Sequence, residues 1–121
     1  MRSLPALLVC LAALLAACGP ESSDLKGRWT HVADPTRFIE FSQGEPASAF
    51  SGVFKGVLEG GAGEVSGTYS LDINGLALKY TKVDVGPMFT KTTEMSETFR
   101  ISLEKGRLKL RQNDRKDEYS R

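Results

Sequence analysis

Residues 64–73 (EVSGTYSLDI) alternate without a break: Val65, Gly67, Tyr69, Leu71 and Ile73 share one face, and Glu64, Ser66, Thr68, Ser70 and Asp72 share the other. A period of two over this length reads as a strand with one buried and one wet face. Asn74-Gly75 follows, a dipeptide suited to the positive φ angles of a type I′ hairpin turn, and Leu76, Leu78 and Tyr80 resume the apolar face beyond it. With Asn74-Gly75 as a two-residue loop, Ile73 opposes Leu76, and the alternation and the turn agree on which face is buried.

A second hairpin repeats the logic. Phe99, Ile101 and Leu103 alternate with Arg100, Ser102 and Glu104, Lys105-Gly106 turns the chain, and Leu108 and Leu110 continue the apolar face. This pairing sets Glu104 opposite Arg107 on the solvent side, a contact worth a few tenths of a kcal/mol. Weaker strand patterns cover residues 28–32, 37–42, 50–58 and 116–121, separated by turn-forming Asp34-Pro35, Gly44-Glu45-Pro46, the glycines of residues 60–63 and Asn113-Asp114. No window has helical periodicity. The pattern predicts an all-β domain, an antiparallel up-and-down meander of about eight short strands that closes into a small barrel, with a β-sandwich as the alternative. Residues 84–96 are the long connection, carrying Val85, Met88, Phe89 and Met95. They are expected to plug one barrel end, or to form a mobile lid or a partner loop presenting Met88 and Phe89.

Ahead of this domain the pattern changes completely. Residues 4–15 are apolar apart from Pro5, shorter than the roughly 20 residues a membrane-spanning helix needs. Arg2, the Leu/Ala run and the small residues Ala16 and Ala17 have the three parts of a secretory signal. Leu15-Ala16-Ala17-Cys18 resembles the lipobox of bacterial lipoproteins. The resemblance implies removal of residues 1–17 and a diacylglycerol on the Cys18 thiol, often with a further acyl chain such as palmitate on the new amino terminus. Residues 18–24 would then be the acylated cysteine and a short tether (GPESSD), and residues 25–121 the folded domain. Two or three acyl chains hold a protein stably on a bilayer without spanning it. Gly19, in place of the aspartate that often marks inner-membrane retention, implies an outer-membrane lipoprotein facing the periplasm in a Gram-negative envelope. Cys10 leaves with the signal and Cys18 with the lipid, so the mature domain has no thiol for a disulfide, a metal or catalysis.

Charge narrows the partners. Loss of residues 1–17 removes Arg2 from the 16 Lys+Arg and nothing from the 15 Asp+Glu, leaving 15 of each. This balance gives no electrostatic reason to expect nucleic acid. It hides an excess in residues 105–121, which hold seven basic and three acidic side chains. That excess reads as a solvated strand face or as a patch for anionic lipid or an acidic protein.

Gly27-Arg28-Trp29 matches the G-x-W element that opens the first strand of lipocalins, and the chain carries late arginines. With the up-and-down strand order, the domain resembles a small bacterial lipocalin-like lipoprotein. The resemblance implies that Trp29 closes the barrel end beneath a stacked guanidinium from Arg121, or else Arg111. It also implies an interior that holds one small ligand or is filled by side chains. His31, Phe54, Tyr69, Tyr80 and Phe99 are the candidate lining residues.

Catalysis finds little support. The only histidine, His31, shares the strand face of Trp29 and reads as a pocket residue that titrates near neutrality or as a hydrogen-bonded rim residue. Gly63-Glu64-Val65-Ser66-Gly67 has its serine one place too late for a nucleophile elbow. Asp114, Asp117 and Glu118 lack calcium-loop spacing and read as solvated charges, and the glycines of residues 60–67 lack the Gly-Lys-Ser/Thr of a phosphate loop. No metal, cofactor or enzymatic activity is expected, and the oligomeric state is open. The sequence points to a lipid-anchored envelope protein that binds a small apolar or amphipathic molecule, or else acts as a protein adaptor or inhibitor with a filled core. The anchor is testable alone: Cys18→Ala is expected to abolish metabolic palmitate labelling and leave the precursor unprocessed, and persistent labelling would place the acylated residue elsewhere.

Overall fold

Each alternating segment pairs with the next in sequence, and the last pairs with the first. The computed structural model describes residues 20–121, in which one helical turn, α1 (Ser22–Leu25), precedes eight strands. These are β1 (Gly27–His31), β2 (Phe38–Gln43), β3 (Ser51–Val57), β4 (Val65–Asp72), β5 (Gly75–Val85), β6 (Thr90–Glu104), β7 (Arg107–Gln112) and β8 (Arg115–Ser120). All neighbours are antiparallel and the order closes on itself, β1 pairing with β8 through Thr30↔Ser120 and His31↔Tyr119. The fold is therefore the closed up-and-down barrel, and the two-sheet sandwich is excluded. The signal sequence and lipobox, with Cys18 and Gly19, lie outside the described residues.

Up-and-down order sends alternate loops to opposite ends. The proximal end carries α1 and the connections 44–50, 73–74 and 105–106; the distal end carries 32–37, 58–64, 86–89 and 113–114. The expected tether is shorter at its C-terminal side than the sequence implied. Glu21 N–H donates to Asp24 Oδ2 at 2.9 Å, Ser22 N–H donates to Ala49 O at 2.7 Å, and Ser22 and Leu25 are buried. The local hydrogen bonds of Asp24 and the apolar Leu25 draw this segment onto the barrel.

The inner faces are those the alternation assigns. Trp29, Ile39, Phe41, Phe54, Tyr69, Leu71, Leu76, Leu78, Leu108, Leu110 and Tyr119 form one buried cluster, with Tyr80, Phe99, Ile101 and Leu103 packed against it. Interdigitation leaves a space of about 20 Å³ toward the distal end of the interior, where Leu78, Phe99, Leu110 and Tyr119 meet the charged Arg37, Glu59, Glu97, Arg115 and Asp117. That is too small for a ligand.

Two connections differ from expectation. In the first hairpin the loop is Ile73-Asn74, with Asp72 opposite Gly75 and Leu71 opposite Leu76. Asn74 N–H donates to Asp72 Oδ1 at 2.7 Å, and Gly75 takes φ +126°. The Asp72 side chain thus starts the turn one residue early, and Ile73 is left 90% exposed at its tip. The pairing moves by two residues, which leaves every other side chain on its expected face. In the second hairpin Lys105 and Gly106 take φ 44° and 77°, as a type I′ turn requires, and Glu104 opposes Arg107. Arg107 nevertheless directs its guanidinium to Glu118, at 3.8 Å.

The larger correction concerns residues 84–96, which neither plug the barrel nor form a loop. β5 and β6 continue pairing from Leu76↔Phe99 to Val85↔Thr90, leaving a connection of only Gly86, Pro87, Met88 and Phe89. The β4 partnership ends at Gly67↔Tyr80, and that of β7 begins at Arg100↔Arg111. The distal part of this hairpin therefore stands beyond the barrel as a two-stranded ribbon with both faces wet.

Gly67 marks where neighbouring backbones approach most closely: a Cβ there would lie 1.9 Å from Lys79 O on β5. Gly67→Ala is expected to destabilise the barrel by about 2 kcal/mol through forced backbone displacement. Gly63→Ala, where a Cβ meets nothing within 4 Å, should be close to neutral. Denaturant unfolding midpoints of the two variants check the contrast.

Candidate functional site

The proximal end is built for closure. Trp29 is fully buried, its indole N–H donates to Leu25 O at 2.8 Å, and Gly27 precedes it with φ +117°. The Arg121 guanidinium lies over the indole at 4.4 Å from the ring centroid and donates from Nη1 to Lys26 O at 3.0 Å. Arg111 points outward from β7 and is exposed. Stacking, the indole hydrogen bond and the α1 backbone together seal this end, and none of these groups is left free for a ligand.

The distal end holds a buried polar cluster that joins four segments. His31 of β1 accepts backbone N–H bonds at Nδ1 from Ala33 (3.2 Å) and Asp34 (3.0 Å), so Nε2 carries the proton and donates to Asp117 Oδ1 at 3.0 Å. Arg37 is buried beside it, donating from Nε to Leu58 O at 3.0 Å and from Nη1 to Asp117 Oδ1 at 3.3 Å. Arg115 Nε reaches the other carboxylate oxygen at 2.9 Å. The Tyr119 ring meets His31 edge to face, with centroids 5.1 Å apart. Burial pushes the Asp117 carboxyl up, but hydrogen bonds from His31 and Arg37 and the charges of Arg37 and Arg115 outweigh it and hold it below its ordinary value of 3.8. Burial also pushes the Tyr119 phenol up.

Sequence reasoning placed Asp117 among solvated charges; its side chain is 12% exposed, and two arginines and a histidine account for it. Arg37 was missed as a site residue. A signal for it existed, because Arg37, Ile39 and Phe41 share parity along the chain and the latter two are core residues. His31 is thus the hydrogen-bonded rim residue, with both ring nitrogens engaged.

The expected ligand-lining set does not enclose a pocket. Phe54 and Tyr69 are core side chains, Tyr69 edge to face with Phe41 at 5.1 Å and Phe54 with Tyr80 at 6.0 Å. Phe99 borders only the small interior void. Burial pushes the Tyr69 phenol up, with the nearby Ser22 opposing the shift, and its hydroxyl has no hydrogen-bond partner. Of the five candidates, Tyr69 borders an open surface depression of about 440 Å³ beside Gly52 and Lys79, and Tyr80 lines a cleft of about 310 Å³ between the 58–64 connection and the hairpin base. Leu58, Val65, Val83 and Met95 supply its apolar surface, and Glu59, Glu64, Lys82 and Asp84 its charges. Tyr80 donates to Glu97 Oε2 at 2.6 Å, and burial, then this carboxylate, push its phenol well above the usual range.

Above the cleft stands the hairpin. Val85, Met88 and Phe89 are 80%, 89% and 73% exposed, and Val83 is 56% exposed. Among the described residues no group of acidic, histidine and cysteine side chains is placed to hold a metal, and no helix is long and apolar enough to cross a membrane.

The Asp117 cluster makes a pH-dependent contribution to stability. A carboxyl depressed by folding stabilises fully above its unfolded pKa of about 3.9, and that stabilisation is lost as pH falls through the lower folded value. Asp117→Asn is expected to cost about 3 kcal/mol near neutral pH by leaving Arg37 unpaired. The gap to the parent protein should narrow below about pH 4, as denaturant melts across pH will show. Compared with protein-family models, curated proteins and solved structures, the chain matches none, so its function is read from this geometry.

Proposed function

We propose that the chain is a lipid-anchored envelope protein, non-catalytic, whose filled barrel serves as a rigid stand for the β5–β6 hairpin, and that this hairpin docks a partner protein of the envelope. The observation that carries the reading is the contrast between an interior void of about 20 Å³ and a projecting ribbon tipped by Val85, Met88 and Phe89. Val83, Val85, Met88 and Phe89 gather on one hairpin, whereas the other exposed apolar side chains, Val32, Phe50, Val53 and Ile73, lie outside it; a cluster of exposed apolar side chains costs solubility and commonly marks an interaction site. The free edges of residues 81–85 and 90–99 add unpaired backbone donors and acceptors suited to pairing with a partner strand.

The two ends of the barrel fit this division. Cys18 precedes α1 at the proximal end, so acylation there turns that end to the bilayer and the hairpin away from it, toward proteins of the surrounding compartment. The short chain between Cys18 and Glu21 keeps the stand close to the lipid. A Gram-negative host would place the protein on the outer membrane, facing the periplasm.

The cleft beneath the hairpin favours a second reading, in which a small amphipathic molecule sits at the barrel mouth against Tyr80, Val65 and Met95. A photo-crosslinking residue at position 89, expressed in the native host, separates the two. The docking reading predicts one dominant adduct with an envelope protein, and loss of at least about tenfold in its association for a Met88→Ser/Phe89→Ser variant whose melting temperature is unchanged. Absence of an adduct, together with a co-purifying small molecule in native mass spectra, would favour the mouth cleft and reject docking.

A further inference from the structure

Arg100, Arg111 and Lys116 come from three strands, and strand pairing sets them side by side. The registers Arg100↔Arg111 and Arg111↔Lys116 place them in one row across β6, β7 and β8, all outward and exposed. Directly opposed residues carry Cβ atoms about 5 Å apart, so the three basic side chains leave the sheet from adjacent positions. Among the described residues none of the three makes an ion pair, whereas Arg107 and Arg115 on the same strands pair with Glu118 at 3.8 Å and Asp117 at 2.9 Å. Like charges placed opposite one another destabilise a sheet. Glu118 and Asp117 on the neighbouring positions are engaged by Arg107 and Arg115, and an anion from outside would relieve the repulsion.

The surface beside the row has matching chemistry. Arg100 and Arg111 border a shallow depression of about 500 Å³ whose remaining lining is Asn74, Thr98, Gln112 and Asn113. All six side chains carry hydrogen-bond donors, and none is a carboxylate or an apolar group. The depression exists because β7 ends at Gln112 and turns back, while β6 runs on toward the hairpin tip without a neighbour on that side.

We propose that this depression binds a phosphate group, gripped by the Arg100 and Arg111 guanidiniums, with Lys116 supplying further positive charge at the end of the row. Guanidinium forks match phosphate oxygens in paired hydrogen bonds, and the amide and hydroxyl donors of Gln112 and Thr98 serve the oxygens that remain. The ligand class is a phosphomonoester, borne by a soluble molecule or by a lipid headgroup. The site is separate from the apolar tip of the hairpin and does not depend on the docking role proposed for it.

Amide NMR shifts of the full chain, titrated with inorganic phosphate at constant ionic strength, test the proposal. Saturable shifts centred on Arg100, Arg111 and Gln112 are expected, about tenfold weaker in affinity for Arg111→Gln and within about twofold of the parent for Lys105→Gln. Without phosphate, Arg111→Gln should melt no lower than the parent, since it removes an opposed charge, which keeps lost binding distinct from lost folding. Arg111-dependent, phosphate-competed sedimentation with phosphatidic acid vesicles, but not with phosphatidylcholine vesicles, would assign the phosphate to a lipid headgroup. Phosphate shifts without that sedimentation would assign it to a soluble molecule. Unsaturable drift, or identical titrations for the parent and Arg111→Gln, would overturn the site.

Discussion

The seam between the first and last strands is the constraint on which the barrel depends. β1 and β8 share only Thr30↔Ser120 and His31↔Tyr119, extended by one hydrogen bond from Val32 N–H to Glu118 O at 2.9 Å. So short a ladder cannot close a meander alone, and side chains clamp it at both ends. At the proximal end Arg121, just past β8, lies on Trp29 of β1 and donates to Lys26 O. At the distal end Asp117 of β8 receives His31 of β1 and Arg37 at the start of β2. The clamps are of different kinds, a cation over an indole and a buried ion network, and each joins residues at least 80 positions apart.

This explains why residues with the look of a functional site are structural. A lone histidine on an apolar face, a buried aspartate and two arginines suggest acid–base chemistry. Here both ring nitrogens of His31 are engaged, and three basic side chains spend themselves on one carboxylate. Eight strands enclose room for their own side chains or one small ligand, and here Trp29, Phe41, Phe54 and Tyr69 take up the interior, leaving about 20 Å³. The two surfaces proposed for recognition, the ribbon of β5 and β6 and the cationic row across β6 to β8, both lie on the outside of the barrel.

How much of this was legible follows from what periodicity encodes. The faces of β4, β5, β6 and β7 could be read because period two fixes inside and outside regardless of register. For the same reason, reading Asn74-Gly75 as the turn shifted the loop by one position and the pairing by two yet misassigned only Ile73. The projecting ribbon was hard to read because its first strand alternates in the wrong phase: Thr81, Val83 and Val85 share the exposed face, opposite in parity to the inward Leu76, Leu78 and Tyr80. Its rise in Thr and Val content was the remaining signal for strand over loop. The link from His31 to Asp117 spans the whole barrel and follows only from closure, whereas Trp29 and Arg121 were paired through the lipocalin resemblance and meet as it implied.

The claim that everything else follows from is that the barrel is closed and full, so that binding belongs to its surface. Methyl NMR under xenon pressure measures this directly, because xenon enters dry cavities of atomic dimensions and perturbs the methyl groups around them. The account predicts no saturable xenon shift at Leu76, Leu78, Leu108 or Leu110. Saturable shifts at those interior methyls would contradict it and return the barrel interior to consideration as a ligand chamber.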